Sequence, residues 1–122
     1  MREIKFRGKR IDNGKWVYGS FVLVDNAFFI IKVLGTTSFD WIEIIPETVG
    51  QYTGLIDREG KEIYEGDILK SSYTDFGHKV VFKNGSFLIE HDDICCPPYK
   101  TSLVEAQGWQ KIIGNIHDDK EL

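Results

Sequence analysis

The sequence lacks a long apolar run. None approaches the ~18–20 residues that a membrane-spanning helix requires, and Arg2, Lys5, Arg7, Lys9 and Arg10 interrupt any hydrophobic leader. It also lacks a basic balance. Fifteen Lys and Arg stand against nineteen Asp and Glu, a formal charge of −4, whereas a protein that coats nucleic acid through its phosphates is normally basic. Cysteine is nearly absent, and its two copies, Cys95 and Cys96, are adjacent. Neighbouring Cα atoms sit too close for ordinary disulfide geometry, and two free thiols suit a reducing compartment. These absences predict a soluble, cytoplasmic, ordered protein with no membrane partner.

A helical period is missing too, and a period of two takes its place. The 122 residues suffice for one domain or two small β modules, burying roughly two-thirds of the surface the unfolded chain exposes. In Trp16–Val24, Trp16, Tyr18, Val22 and Val24 fall on one face and Val17, Phe21 and Leu23 on the other. Both faces are apolar, so the strand is expected to be covered on both sides for part of its length. Asp25-Asn26 separates it from the β-branched and aromatic run Ala27–Val33, which reads as a hairpin. Asn13-Gly14 gives a similar signal earlier. Trp41–Ile45 is a further strand, stopped by Pro46. Later, Asn84-Gly85 joins Lys79–Lys83 to Ser86–Glu90 as the clearest type I′ hairpin, and Trp109–Ile116 reads as a closing strand.

Helix is expected at two places only: a single turn over Pro46–Val49, and one or two turns over Thr101–Gln107 stopped by Gly108. Gly54, Gly60 and Gly66 recur every six residues, each placed in a tight turn, with Tyr52, Leu55, Ile63 and Tyr64 available to the core between them. A phosphate-binding loop would need such a turn to open a helix, and here a strand follows. The fold class is all-β, as a barrel or sandwich, with any boundary in residues 46–60, where turn residues cluster.

Three blocks carry a family resemblance. Arg2–Arg7, the long central run Gln51–Ile68 and the close Ile113–Leu122 occur in the order found in the YopX family of bacteriophage and prophage proteins, which this chain resembles along its whole length. The resemblance implies a small phage-encoded protein of Gram-positive bacteria. It also implies an N-terminal β-hairpin layer over residues 1–50 packed with an SH3-like barrel over residues 51–122. It brings no catalytic residue set with it.

The residues themselves offer little chemistry. His91-Asp92-Asp93-Ile94-Cys95-Cys96, with His78, gathers metal-capable side chains, but zinc sites favour cysteines two to four residues apart. A loop before Pro97-Pro98 explains the cluster more simply. His78, His91 and His117 are scattered, without a partnered acid or nucleophile. No catalytic residue, cofactor or metal is therefore expected. Residues 1–15 carry six basic and two acidic residues, +4, while the other 107 carry −8. Arg2, Lys5, Arg7, Lys9 and Arg10 could contact nucleic acid beside Phe6 and Trp16, or could instead protect a half-buried edge strand. The edge strand is the simpler reading.

Aromatic residues make up 13% of the chain, a surplus for so small a core. Trp41, Tyr73, Phe76, Tyr99 and Trp109 are the candidates for an exposed contact patch. The expected function is a non-enzymatic accessory module that binds a host or phage protein, with self-association left open. Nucleic-acid binding through the basic N-terminal strand is the alternative.

Overall fold

The structure is a computed structural model. It describes residues 4–33, 35, 36, 38–70, 77–91, 99–102 and 110–118, with 91 and 99–102 described as backbone only. Among the described residues, eleven strands and one 3-10 turn make up the regular structure, and the eight ladders with an assigned register are all antiparallel. Among the described residues no helix is long and apolar enough to cross a membrane. The chain divides into two units, Met1–Tyr52 and Thr53–Leu122.

The N-terminal unit contains β1 (Phe6–Lys9), β2 (Trp16–Val24), β3 (Ala27–Val33), β4 (Phe39–Glu43), the turn Pro46–Thr48 and the start of β5 (Gly50–Ile56). Asp25 and Asn26 both adopt left-handed φ angles, 48° and 68°. That conformation matches a type I′ turn, and it sets Val24 opposite Ala27. The ladder runs β4-β3-β2-β1-β5. β1 is therefore an interior strand, not the edge strand its Lys and Arg content suggested, because the chain returns after β4 to pair with it as β5. Beyond β4, Ile44 bridges Arg10 and the Ile45 N–H donates to the Lys9 carbonyl at 2.8 Å. The Thr48 hydroxyl secures this corner: it accepts the Lys9 N–H at 2.9 Å and donates to the Ile45 carbonyl at 2.6 Å.

The alternating residues Val17, Ile30, Ile42 and Ile44 form the buried core of this unit, joined by Phe6, Phe21, Phe28 and Val49. Each fully buried aliphatic side chain contributes about 1.5–3 kcal/mol relative to exposure. Gly19 faces this core beside β3. A Cβ there would lie 2.4 Å from the Ile31 carbonyl oxygen, so only glycine allows the approach.

The C-terminal unit contains the rest of β5, β6 (Glu62–Tyr64), β7 (Asp67–Lys70), β8 (His78–Lys83), β9 (Ser86–His91), β10 (Tyr99–Ser102) and β11 (Lys111–Asn115). Five of these form a sheet ordered β10-β9-β8-β7-β11. Asn84 and Gly85 take φ values of 54° and 82°, as a type I′ hairpin requires. Ile63, Leu69, Val80 and Ile89 are buried together, with Leu55, Phe87 and Ile112 against them. A buried carboxylate organises the edge of this core: Asp57 accepts the N–H groups of Glu59 (2.8 Å), Lys61 (2.9 Å) and, 55 residues away, Ile112 (3.1 Å).

Two further expectations need correction. Thr101 and Ser102 lie in β10, paired to Ile89 and Leu88, so they do not begin a helix; residues 103–107 lie outside the described residues. Gly60 and Gly66 occupy turns, but Gly54 sits within β5 with a φ of 86°. It forms a local irregularity in a strand and not a reversal.

Candidate functional site

Register decides which side chains share a face, because directly paired residues in an antiparallel ladder point the same way. In β1, Phe6 and Gly8 face the core, which leaves Lys5, Arg7 and Lys9 on the outer side. Arg7 is paired with Tyr18 and Lys9 with Trp16. The Arg7 guanidinium lies 4.5 Å from the centre of the Trp16 ring, Lys9 lies 5.5 Å from the same ring, and Lys5 lies 5.2 Å from the Tyr52 ring. Cations over aromatic faces are stabilising. Arg7 is only 6% exposed, so it is part of the packing. Arg10 donates to both carboxylate oxygens of Asp12, at 2.9 and 2.8 Å. That pairing holds Asp12 below the usual carboxylate range. Of the candidate nucleic-acid contacts, Arg7 and Arg10 are thus engaged within the unit, Lys5 and Lys9 sit over rings, and Arg2 lies outside the described residues.

The same outer face continues across the sheet and turns apolar. β2 places Tyr18, Val22 and Val24 on it, β3 places Phe29, Ile31 and Val33, and β4 places Phe39 and Trp41. Phe29 and Trp41 meet edge to face at 5.7 Å. Tyr18 is 47% exposed, Trp41 54%, Phe39 59% and Val33 67%. β2 is covered on both sides for only part of its length: Trp16, Val17, Phe21 and Val22 are buried or half-buried, whereas Tyr18 and Val24 on the outer side and Leu23 on the Val17 side are open to solvent. Trp41 is where the sequence placed a contact residue. Phe39, Tyr18 and Val33 were missed there; the signal was the second apolar face of a strand whose first face already filled the core. Tyr73, Phe76 and Trp109 lie outside the described residues, and Tyr99 is described only as backbone in β10.

The C-terminal sheet presents a different outer face. Lys79 and Lys83 of β8 flank Glu90 of β9, at 3.9 and 3.2 Å. On the same side Lys70 stands directly opposite Lys111, which reaches Glu59 at 3.2 Å. His78 is on the other side, buried beside the core. Among the described residues no group of three or more His, Cys, Asp or Glu is placed to hold a metal; Asp92–Cys96 lie outside them.

Two antiparallel β units, with one 3-10 turn as the only helical element among the described residues, define the class: a small all-β protein. The chain belongs to the YopX protein family, whose pattern matches residues 5–122. It is similar to the crystal structure of protein EF1440 from Enterococcus faecalis, with 26% identity and a TM-score of 0.57 over 99% of this chain and 98% of that one. No curated protein matches.

Proposed function

We propose that this chain is a non-enzymatic accessory protein of phage or prophage origin that binds a protein partner through the outer face of its N-terminal sheet. Family membership supports the accessory reading. The observation that carries the binding reading is the open row of Tyr18, Val33, Phe39 and Trp41. Contiguous aromatic and aliphatic surface on a folded unit marks contact sites, and aromatic residues supply most of the binding energy at such sites.

The test is affinity capture from nuclease-treated host lysate, comparing the natural chain with Trp41→Lys and Tyr18→Lys. Both positions are exposed, so the variants keep the fold, which amide spectra verify. A partner retained by the natural chain and lost by both variants supports the reading. Equal capture by all three, or capture that disappears with nuclease, rejects it.

A further inference from the structure

β4 is the outermost strand of its ladder, and its hydrogen-bonding parity follows from one bond. The Ile44 N–H donates to the Phe28 carbonyl at 2.9 Å. Hydrogen-bonded and non-bonded pairs alternate in antiparallel ladders, so Ile42 with Ile30 and Asp40 with Lys32 are the bonded pairs. The backbone groups of Phe39, Trp41 and Glu43 therefore point away from β3. The Glu43 carbonyl accepts the Ile11 N–H at 3.2 Å, and Arg10 bridges Ile44. The loop after β1 thus covers that end of the edge.

Phe39–Trp41 has no such cover among the described residues. Among the described residues, the outward N–H and C=O groups of Phe39 and Trp41 have no backbone partner. Folded proteins normally protect such edges with charged side chains, Pro or a bulge. β4, Phe-Asp-Trp-Ile-Glu, has neither Pro nor a bulge and its charges, Asp40 and Glu43, are both acidic, so they repel acidic strands and not basic ones; both its aromatic side chains are more than half exposed.

We propose that Phe39–Trp41 receives an extended segment of a partner protein as an added antiparallel strand. An apolar residue would lie opposite each of Phe39 and Trp41, and a Lys or Arg opposite Asp40. This deepens the protein-binding reading and rests on it. Strand addition draws affinity from backbone hydrogen bonds and specificity from alternate side chains. The apolar pair extends the outer face, while the middle residue meets the row on the other side, where Lys32 stands opposite Asp40.

Charge selects against a second copy of the chain. A second copy paired over all three residues would set Phe39 against Trp41 and Asp40 against Asp40. Like charges directly opposite destabilise a pair. A cation in that position continues an alternating row instead.

The experiment titrates isotope-labelled full-length protein with a blocked pentapeptide, threonine-valine-lysine-valine-threonine, to millimolar concentration. A twin with central glutamate, and the variant Asp40→Lys, complete the set. The expected result is slowed hydrogen exchange and shifted resonances at the Phe39 and Trp41 amides with the lysine peptide. Binding of the glutamate twin is weaker by about fivefold, the worth of one exposed ion pair, and Asp40→Lys reverses the preference. Absence of that reversal overturns the proposal. Changes at Tyr18 and Val22 without any at Phe39 and Trp41 overturn strand addition while leaving the face reading intact. Silence at all four rejects both. Concentration-dependent protection of Phe39 and Trp41 without peptide would assign the edge to a second copy and also overturn the proposal.

Discussion

The two units build their interiors from similar materials, yet they finish their outer faces differently. Ile30, Ile42, Ile44 and Val17 fill one core, and Ile63, Leu69, Ile89 and Val80 the other. Each unit has a two-residue hairpin with left-handed φ at both central positions, Asp25-Asn26 and Asn84-Gly85. Outside, the C-terminal sheet covers itself with Lys79 and Lys83 around Glu90 and with Lys111 against Glu59. The C-terminal unit also exposes Ile56, Phe82, Ile113 and Ile116, whereas the N-terminal sheet gathers Tyr18, Val33, Phe39 and Trp41 on one face. A charged lattice needs nothing further. An aromatic one gains free energy whenever something covers it, and that asymmetry places the binding reading on the first unit.

The largest expected effect separates the units by stability. Asp57→Ala removes the acceptor of three N–H groups at the core of the C-terminal unit. Leaving them unmet should cost that unit roughly 3–4 kcal/mol, read as lost hydrogen-exchange protection at Leu69 and Val80. Burial alone would raise the Asp57 pKa, but the donors Ile112, Lys61 and Glu59 outweigh it and hold the carboxyl below its ordinary value. A depressed folded-state pKa stabilises above the unfolded value of about 3.9 and is lost as pH falls through the folded one. Acid should therefore weaken the natural chain below about pH 4 more than Asp57→Asn. Equal acid sensitivity would remove Asp57 from that role.

Gly19→Ala is the counterpart in the N-terminal unit. Its Cβ would meet the Ile31 carbonyl at 2.4 Å, and backbone on both strands must move. A loss of about 2–3 kcal/mol is expected, confined to protection at Ile30 and Ile42. Equal loss in both units would show that they unfold together.

Gly85→Val is smaller. Gly85 holds a φ of 82° with open space around it, so the cost is conformational alone. A β-branched residue there should lower stability by about 1–2 kcal/mol. An unchanged denaturant midpoint would contradict the turn geometry.

What the sequence disclosed follows the same division. Period-two patterning and Asn84-Gly85 identified β8 and β9 because local φ preferences and alternation act within a few residues. β1 could not be placed from its own composition. Its Lys and Arg looked like edge protection, whereas Arg7 and Lys9 stack on Trp16 across a ladder closed by β5, more than forty residues later. The Asp57 bond to Ile112 spans 55 residues and leaves no local trace. Trp41 was legible as a candidate for exposure, but its equally exposed neighbours Phe39, Val33 and Tyr18 were not, since alternation reveals which face is apolar and not which one stays uncovered.

The smallest effect concerns nucleic acid, where the two outer faces should both be weak for different reasons. On the N-terminal unit, Arg7 is buried over Trp16 and Arg10 is paired with Asp12, which leaves few cations to neutralise phosphates. On the C-terminal unit, Glu90 and Glu59 already compensate Lys79, Lys83 and Lys111. With a net charge of −4, binding to DNA or RNA should be no tighter than the ~10⁻⁴–10⁻⁶ M of non-specific contact at physiological salt, and should fall steeply as salt rises. Paired variants sharpen the comparison: Lys5→Gln with Lys9→Gln on one face, and Lys79→Gln with Lys83→Gln on the other. Each pair should flatten the salt dependence by at most about two phosphate contacts. Nanomolar binding to one sequence or structure, abolished by either pair, would transfer the function to that face and displace the aromatic surface as the binding site.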